Sequence, residues 1–196
     1  PFIKSKGGRV MNWLQDLFPE VAVGAGVIKQ SSLINILTTK LRNFSLNRAL
    51  KNVVVGNRML NYLIEKGIEK KKITFIPNWA DGNAIKPINK TNNPFLQKWK
   101  LKDKFVVGYS GNLGRAHDIY TILGAIELLK DNTNILFLFI GDGVGIRKIQ
   151  KYIKEKKLKN VIFHPYQPRQ LLSFTLNVAD VHWVTLAPEM EGYIVP

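Results

Sequence analysis

Phe105-Val106-Val107-Gly108-Tyr109-Ser110-Gly111-Asn112-Leu113-Gly114-Arg115 is the stretch that decides the fold. An apolar run of strand character ends in a glycine-rich turn. A helical pattern then runs from Asp118 to Lys130, with Ile119, Ile122, Leu123, Ile126 and Leu129 on one face and Asp118 placed to cap it. The same alternation repeats downstream. Ile135 to Ile140, Val161 to Phe163 and Val181 to Val184 read as strands, separated by helical stretches near Ile146 to Lys156 and Pro168 to Ala179. Strand, helix, strand in series means right-handed βαβ units around a parallel sheet, so the class is α/β, a Rossmann-like parallel sheet with flanking helices.

Upstream the order is looser. Strands are expected at Val10 to Leu14, Asn52 to Val55 and Ile73 to Ile76, and helices near Leu33 to Leu50 and Arg58 to Lys66. The stretch Pro77 to Asn93, rich in Asn and holding Gly82 and Pro87, reads as a linker or boundary loop.

Composition narrows the function. The 196 residues are 45% hydrophobic, enough for a real core. The longest apolar run, Ile135 to Ile140, is far too short to cross a bilayer, and Pro1-Phe2-Ile3-Lys4 lacks the apolar core of a secretory leader. A soluble, cytoplasmic protein is the expectation. With no cysteine there is neither a disulfide framework nor a thiolate metal site.

The net charge of +15 should attract phosphate in some form: nucleic acid, anionic lipid or a phosphorylated small molecule. From Val21 to Ile64 there is no acidic residue, while Lys29, Lys40, Arg42, Arg48, Lys51 and Arg58 are spread through a Leu- and Ile-rich segment. That combination reads either as an element lying on an anionic membrane surface or as the solvated face of an ordinary helix. Nucleic-acid binding would call for aromatic residues interleaved with Lys and Arg. Most aromatics instead fall in strand-like or apolar runs, and no nucleic acid is expected.

Four stretches have the character of sites. Gly111 to Arg115, with Asn112, Leu113 and Gly114 between, sits at the carboxyl end of a strand, where backbone N–H groups and a helix N-terminus hold phosphate. Arg115 would add fixed charge. Gly141-Asp142-Gly143-Val144-Gly145 occupies a second strand-to-helix junction. It departs from the dinucleotide fingerprint, because Ile146 stands where a third glycine belongs. In both stretches the glycines could equally serve only to turn the chain. Tyr166 and Gln167, in His164-Pro165-Tyr166-Gln167-Pro168, end a strand, and Tyr166 could lie flat against a base or simply cover the sheet end. Glu191 and Gly192 follow the last strand-like run, where a carboxylate could accept hydrogen bonds from sugar hydroxyls or merely be solvated. His164 and His182 are isolated, so no metal site is inferred.

Read together, Ile76-Pro77-Asn78-Trp79-Ala80-Asp81, Tyr109 to Arg115, Ile140 to Gly143 and Ala179-Asp180-Val181 are similar in order to retaining glycosyltransferases of bacterial polysaccharide synthesis, of the colanic-acid, O-antigen and exopolysaccharide type. Leu14-Gln15-Asp16-Leu17-Phe18-Pro19-Glu20 matches them as well. The resemblance implies the two-Rossmann-domain GT-B fold. Residues 1–72 would then be the end of the acceptor-side domain plus a connecting region. Residues 73–196 would be most of the nucleotide-sugar-binding domain, incomplete at its C-terminus.

The resemblance further implies a nucleoside diphosphate sugar, a UDP-sugar first, as donor, and a saccharide or lipid-linked acceptor. No cofactor or metal is required, and association with the inner face of the membrane is compatible with it. It puts Gly111 to Arg115 at the diphosphate, Gly141, Asp142, Gly143, Tyr166 and Gln167 near the nucleoside, and Glu191 and Gly192 near the sugar and phosphates. Glu191, Gln15 and Asp16 become the catalytic candidates. Three departures stand out. Asn112 and His117 hold places where relatives carry Arg and Lys, which leaves the charge to Arg115; Gln15 stands where relatives have His; and the chain stops at Pro196, before the ribose-holding glutamate. A chain cut at both ends, unable to turn over by itself, is the expectation. A non-catalytic sugar-nucleotide-binding protein of the same fold is the alternative.

Overall fold

The computed structural model describes residues 6–196; Pro1 to Lys4, read above for a leader, lie outside the described residues. The chain forms two compact units: residues 1–79 with 186–196, and residues 80–185.

In the first unit, three parallel strands form a sheet in the order β1-β2-β3: β1 (Met11–Leu14), β2 (Lys51–Val54) and β3 (Ile73–Phe75). The connections carry α1 (Glu20–Gly24), α2 (Leu33–Arg48) and α3 (Asn57–Glu65). Ser32 caps α2 by accepting a hydrogen bond from Asn35 N–H at 3.2 Å. A core of Leu17, Leu46, Val54, Val55, Met59, Leu63, Ile68 and Ile73 lies between sheet and helices. The polar residue Asn52 is fully buried there, but it accepts from Asn12 at 2.8 Å and donates to Leu46 O at 3.0 Å, so its burial leaves neither group unpaired.

The units divide the chain elsewhere than at residues 72 and 73. β3 pairs with β2 and belongs to the first sheet, and residues 186–196 return to the first unit. Met190, 1% exposed, packs on Gly24, and Leu17 N–H donates to Tyr193 O at 2.8 Å.

The second unit opens with the expected linker, largely irregular, followed by α4 (Pro94–Lys98). Its sheet is parallel, in the order β6-β5-β4-β7: β4 (Phe105–Asn112), β5 (Ile135–Asp142), β6 (Val161–His164) and β7 (Val181–His182). Helices α5 (Tyr120–Leu128), α6 (Val144–Lys156) and α7 (Leu172–Leu176) complete it. β5 is a continuous apolar run because both its faces are covered. Phe137 and Phe139 join the cluster made with α5 and α6, whereas Leu136, Leu138 and Ile140 join Phe95, Trp99, Leu101 and Val178 on the other side.

Two elements depart from expectation. The helix read over Pro168 to Ala179 is a 3-10 turn at Arg169–Leu171 followed by α7. It ends at Asn177, whose side chain donates to Ser173 O (2.7 Å) and Lys86 O (3.0 Å) and so competes for the helix's own bonds. The strand read over Val181 to Val184 pairs for two residues only; Trp183 N–H still donates to Gly108 O before the chain leaves the sheet.

Candidate functional site: the glycine turns at the carboxyl end of the second sheet

β4 and β5 end in register, Gly111 opposite Gly141 and Asn112 opposite Asp142. The turn after β4 then crosses the end of β5. Leu113 N–H donates to Asp142 O at 2.9 Å, and Gly145 N–H donates to Leu113 O at 2.8 Å. The second turn is thereby pressed against the first. A Cβ at Gly141 would stand 2.1 Å from Gly111 O, and one at Gly143 would stand 2.4 Å from Leu113 O; both residues have φ +132°. These glycines exist to let two backbones touch. Gly114 is different, for its nearest neighbours to an added Cβ, Asn112 and His117, are 3.9 Å away.

His117 holds the first turn in shape. Its Nδ1 accepts from Gly114 N–H at 3.1 Å, and its Nε2 lies 3.4 Å from the Tyr109 hydroxyl. Accepting at Nδ1 requires a free lone pair there, so this imidazole is placed as a neutral strut. Burial, with Tyr166 as a lesser influence, pushes the Tyr109 phenol up to about 12. Gly114 O accepts from His117 N–H at 3.4 Å, closing a β-turn whose central residues are Arg115 and Ala116. Among the described residues the N–H groups of these two have no protein partner. Arg115 is exposed and forms no ion pair among the described residues. At this end of the sheet the chain offers two N–H donors and one guanidinium without a protein partner among the described residues.

The rest of the expected site in this unit is nearby. Asp142 accepts from Gly143 N–H at 2.6 Å and pairs with Arg147 at 3.0 Å, on the surface. The Tyr166 ring, 56% exposed, lies against Gly141. Gln167 donates to Pro165 O at 2.8 Å within its own turn. Asp118 lies one residue before the N-cap of α5, Ile119, and not at the cap expected of it; it accepts from Tyr120 N–H at 2.9 Å, and its bonds with Thr121 and the backbone hold its carboxyl below the usual range. His164 stacks on Trp99 at 4.1 Å and has its pKa lowered by burial and by Lys98; His182 Nε2 lies 2.9 Å from Leu176 O. Both have structural surroundings.

Gln15, Asp16, Glu191 and Gly192 belong to the first unit. Asp16 forms an antiparallel bridge with Ile194, which brings the stretch after β1 beside the stretch carrying Glu191. Glu191 pairs with Arg58 at 2.8 Å, both side chains exposed. Gly192 has φ +83°, a conformation glycine takes readily. Sequence reading missed a polar cluster in this unit. Arg42 donates to both oxygens of Glu20 (2.6 and 2.9 Å), and the Tyr62 hydroxyl donates to Glu20 at 2.6 Å. These residues line a cavity of about 540 Å³ with Thr39, Lys66 and Tyr193, and burial together with Glu20 pushes the Tyr62 phenol well up. Three residues so far apart in sequence leave no local signal.

Residues 91–193, more than half of the chain, match the family model described as Glycosyl transferases group 1. The chain is 34% identical over 183 residues to the probable glycosyltransferase WbjE of Pseudomonas aeruginosa, and 25% identical over 197 residues to the putative colanic acid biosynthesis glycosyl transferase WcaI of Escherichia coli K12. It covers 93% and 98% of itself in these matches but 46% and 48% of the relatives, so it spans about half their length. In fold it resembles Anabaena HepE, solved in complex with UDP and glucose (TM-score 0.73, 16% identity, 95% of this chain and 49% of that one). It also resembles the sucrose-phosphate synthase of Thermosynechococcus elongatus (TM-score 0.68, 18% identity, 89% and 44%). The parallel-sheet architecture is that of GT-B glycosyltransferases. By the extent of its family match, the chain belongs to the glycosyl transferases of group 1.

Proposed function

We propose that the whole protein transfers a sugar from a nucleoside diphosphate sugar, a UDP-sugar first, to a growing, lipid-linked saccharide, with retention, in cell-surface polysaccharide synthesis at the cytoplasmic face of the membrane. The observation that carries this reading is the β-turn at Arg115 and Ala116, two N–H groups and a guanidinium that have no partner among the described residues, at the carboxyl end of a parallel sheet. Such an arrangement suits a diphosphate, whose charge grows as the bond to the anomeric carbon breaks. The acceptor hydroxyl oxygen then takes the diphosphate's place on the same face of the anomeric carbon and gives up its proton to the departing diphosphate. Positioning and charge neutralisation supply the catalysis.

Tyr166, at the Gly141 end of β5, is assigned to the base. Glu191, Gln15 and Asp16 are assigned to the donor sugar, with Glu191 leaving Arg58 to accept from a sugar hydroxyl. The reading includes no metal ion.

Calorimetry of the full-length protein with nucleoside diphosphates and their sugars tests this. UDP should bind in the micromolar to millimolar range usual for substrates, and EDTA should leave binding intact. No response to any nucleoside diphosphate, or a strict need for Mg²⁺ or Mn²⁺, would overturn the reading. The anomeric configuration of the product, read by NMR, decides retention.

A further inference from the structure

Helix α2 faces the wrong way for a globular domain. Helices normally bury an apolar stripe and leave charge outside. On α2 the inward residues are Thr39, Arg42 and Leu46; only Leu46 is fully buried, and Arg42 is tied to Glu20. Leu33, Leu37, Leu41 and Phe44, spaced by four and three residues on one stripe, are 82%, 60%, 59% and 44% exposed, and Ile34 beside them is 62% exposed. An exposed patch this continuous marks a contact surface.

Its rim says with what. Lys29, Lys40 and Arg48 are exposed around the stripe, the Arg48 guanidinium lies 4.8 Å over the Phe44 ring, and no acidic residue occurs from Val21 to Ile64. The carboxylates close by, Glu20 and Glu189, line the cavity with Thr39 and Arg42 on the inward side of α2, and Glu20 is already neutralised by Arg42. A strictly cationic rim around an apolar stripe complements a surface that is anionic outside and apolar beneath. No helix among the described residues is long and apolar enough to cross a membrane, so α2 would lie along such a surface.

We infer that α2 docks in the headgroup region of an anionic lipid bilayer, with Leu33, Leu37, Leu41 and Phe44 toward the acyl chains and Lys29, Lys40 and Arg48 at the lipid phosphates. This names the surface for the membrane part of the function proposed above and rests on that part alone.

The test uses the full-length protein with phosphatidylcholine vesicles, with and without phosphatidylglycerol. Co-sedimentation should require the anionic lipid and weaken as salt rises. Lys40→Glu/Arg48→Glu should weaken it by at least about tenfold, since each basic residue at an anionic surface is worth about fivefold and the charge is reversed. Leu37→Glu/Leu41→Glu should abolish it without lowering the melting temperature. In Phe44→Trp, tryptophan emission should shift to the blue only when anionic vesicles are added. UDP affinity should be the same in every variant, so loss of UDP binding with vesicle binding intact counts against the donor reading and not against this one. Three outcomes overturn it: equal binding to neutral vesicles; emission of Phe44→Trp already blue and insensitive to lipid, which would mean that another part of the chain or a second copy covers the stripe; and a large fall in melting temperature in Leu37→Glu/Leu41→Glu.

Discussion

The turns after β4 and β5 look alike in sequence, each a strand followed by Gly-x and further glycine, yet their glycines do opposite jobs. After β5, Gly141 and Gly143 are crowded by the carbonyl oxygens of Gly111 and Leu113. After β4, a Cβ at Gly114 would meet Asn112 and His117 at 3.9 Å, an ordinary contact distance. One turn is a support and the other is the thing supported. A glycine pattern therefore reports close approach without saying whether the visitor is a ligand or the protein's own backbone.

The sharpest way to break this comparison is a pair of alanines. Gly143→Ala puts a Cβ 2.4 Å from Leu113 O at a φ that alanine rarely adopts, and should cost about 3 kcal/mol or more of stability by urea denaturation. Gly114→Ala should change stability by no more than about 0.5 kcal/mol. Equal costs would erase the distinction.

The next largest effect is on binding. Arg115→Ala should weaken UDP binding by roughly ten- to a hundredfold, about 1.5–3 kcal/mol for a charge-assisted contact, with the free nucleoside and the stability unaffected. An Arg115→Ala protein that binds UDP as wild type would place the diphosphate elsewhere. His117→Ala should act less strongly and on both properties, losing about 1 kcal/mol of stability with a several-fold weaker UDP affinity, because it removes a strut and no charge. If its loss damaged binding more than that of Arg115, His117 would be the cation after all.

The smallest effect concerns protons at the end of β6, the strand beside β5. Burial and Lys98 lower the pKa of His164, so the unfolded chain takes up a proton near 6.5 that the folded unit resists. Stability should be flat above that pH and fall as pH drops below it toward the depressed folded value. His164→Phe keeps a ring on Trp99 and should flatten the decline. An unchanged slope would mean that the pH response comes from carboxylates such as Asp180. Burial works to raise that group, but the bonds it accepts from Lys90 and from Val106 N–H outweigh burial and hold it below its usual range.

What the sequence made legible follows from how locally each feature is encoded. The strands and helices of the second unit announce themselves because β5 is buried on both faces and α5 on one, which writes distinct periods into the chain. The linker and the position of the glycine turns are similarly local. The return of residues 186–196 to the first unit depends on Met190 finding Gly24, and no neighbouring residue foretells that. Nor does the sequence show that the N–H groups of Leu113 and Gly114 are used within the protein, which leaves Arg115 and Ala116 as the free donors. The segment from Val21 to Ile64 showed charge and apolarity together, but which side of α2 faces outward depends on Arg42 reaching Glu20.

The return of the chain bears on how the protein is made. Residues 80–185 are inserted between two parts of the first unit. A ribosome delivers residues in order, so the first unit lacks Met190 and Tyr193 until residues 80–185 have been synthesised. Tyr193 O can therefore reach Leu17 N–H only after residues 80–185 have been made, which delays completion of the first unit relative to the usual N-terminal-first order.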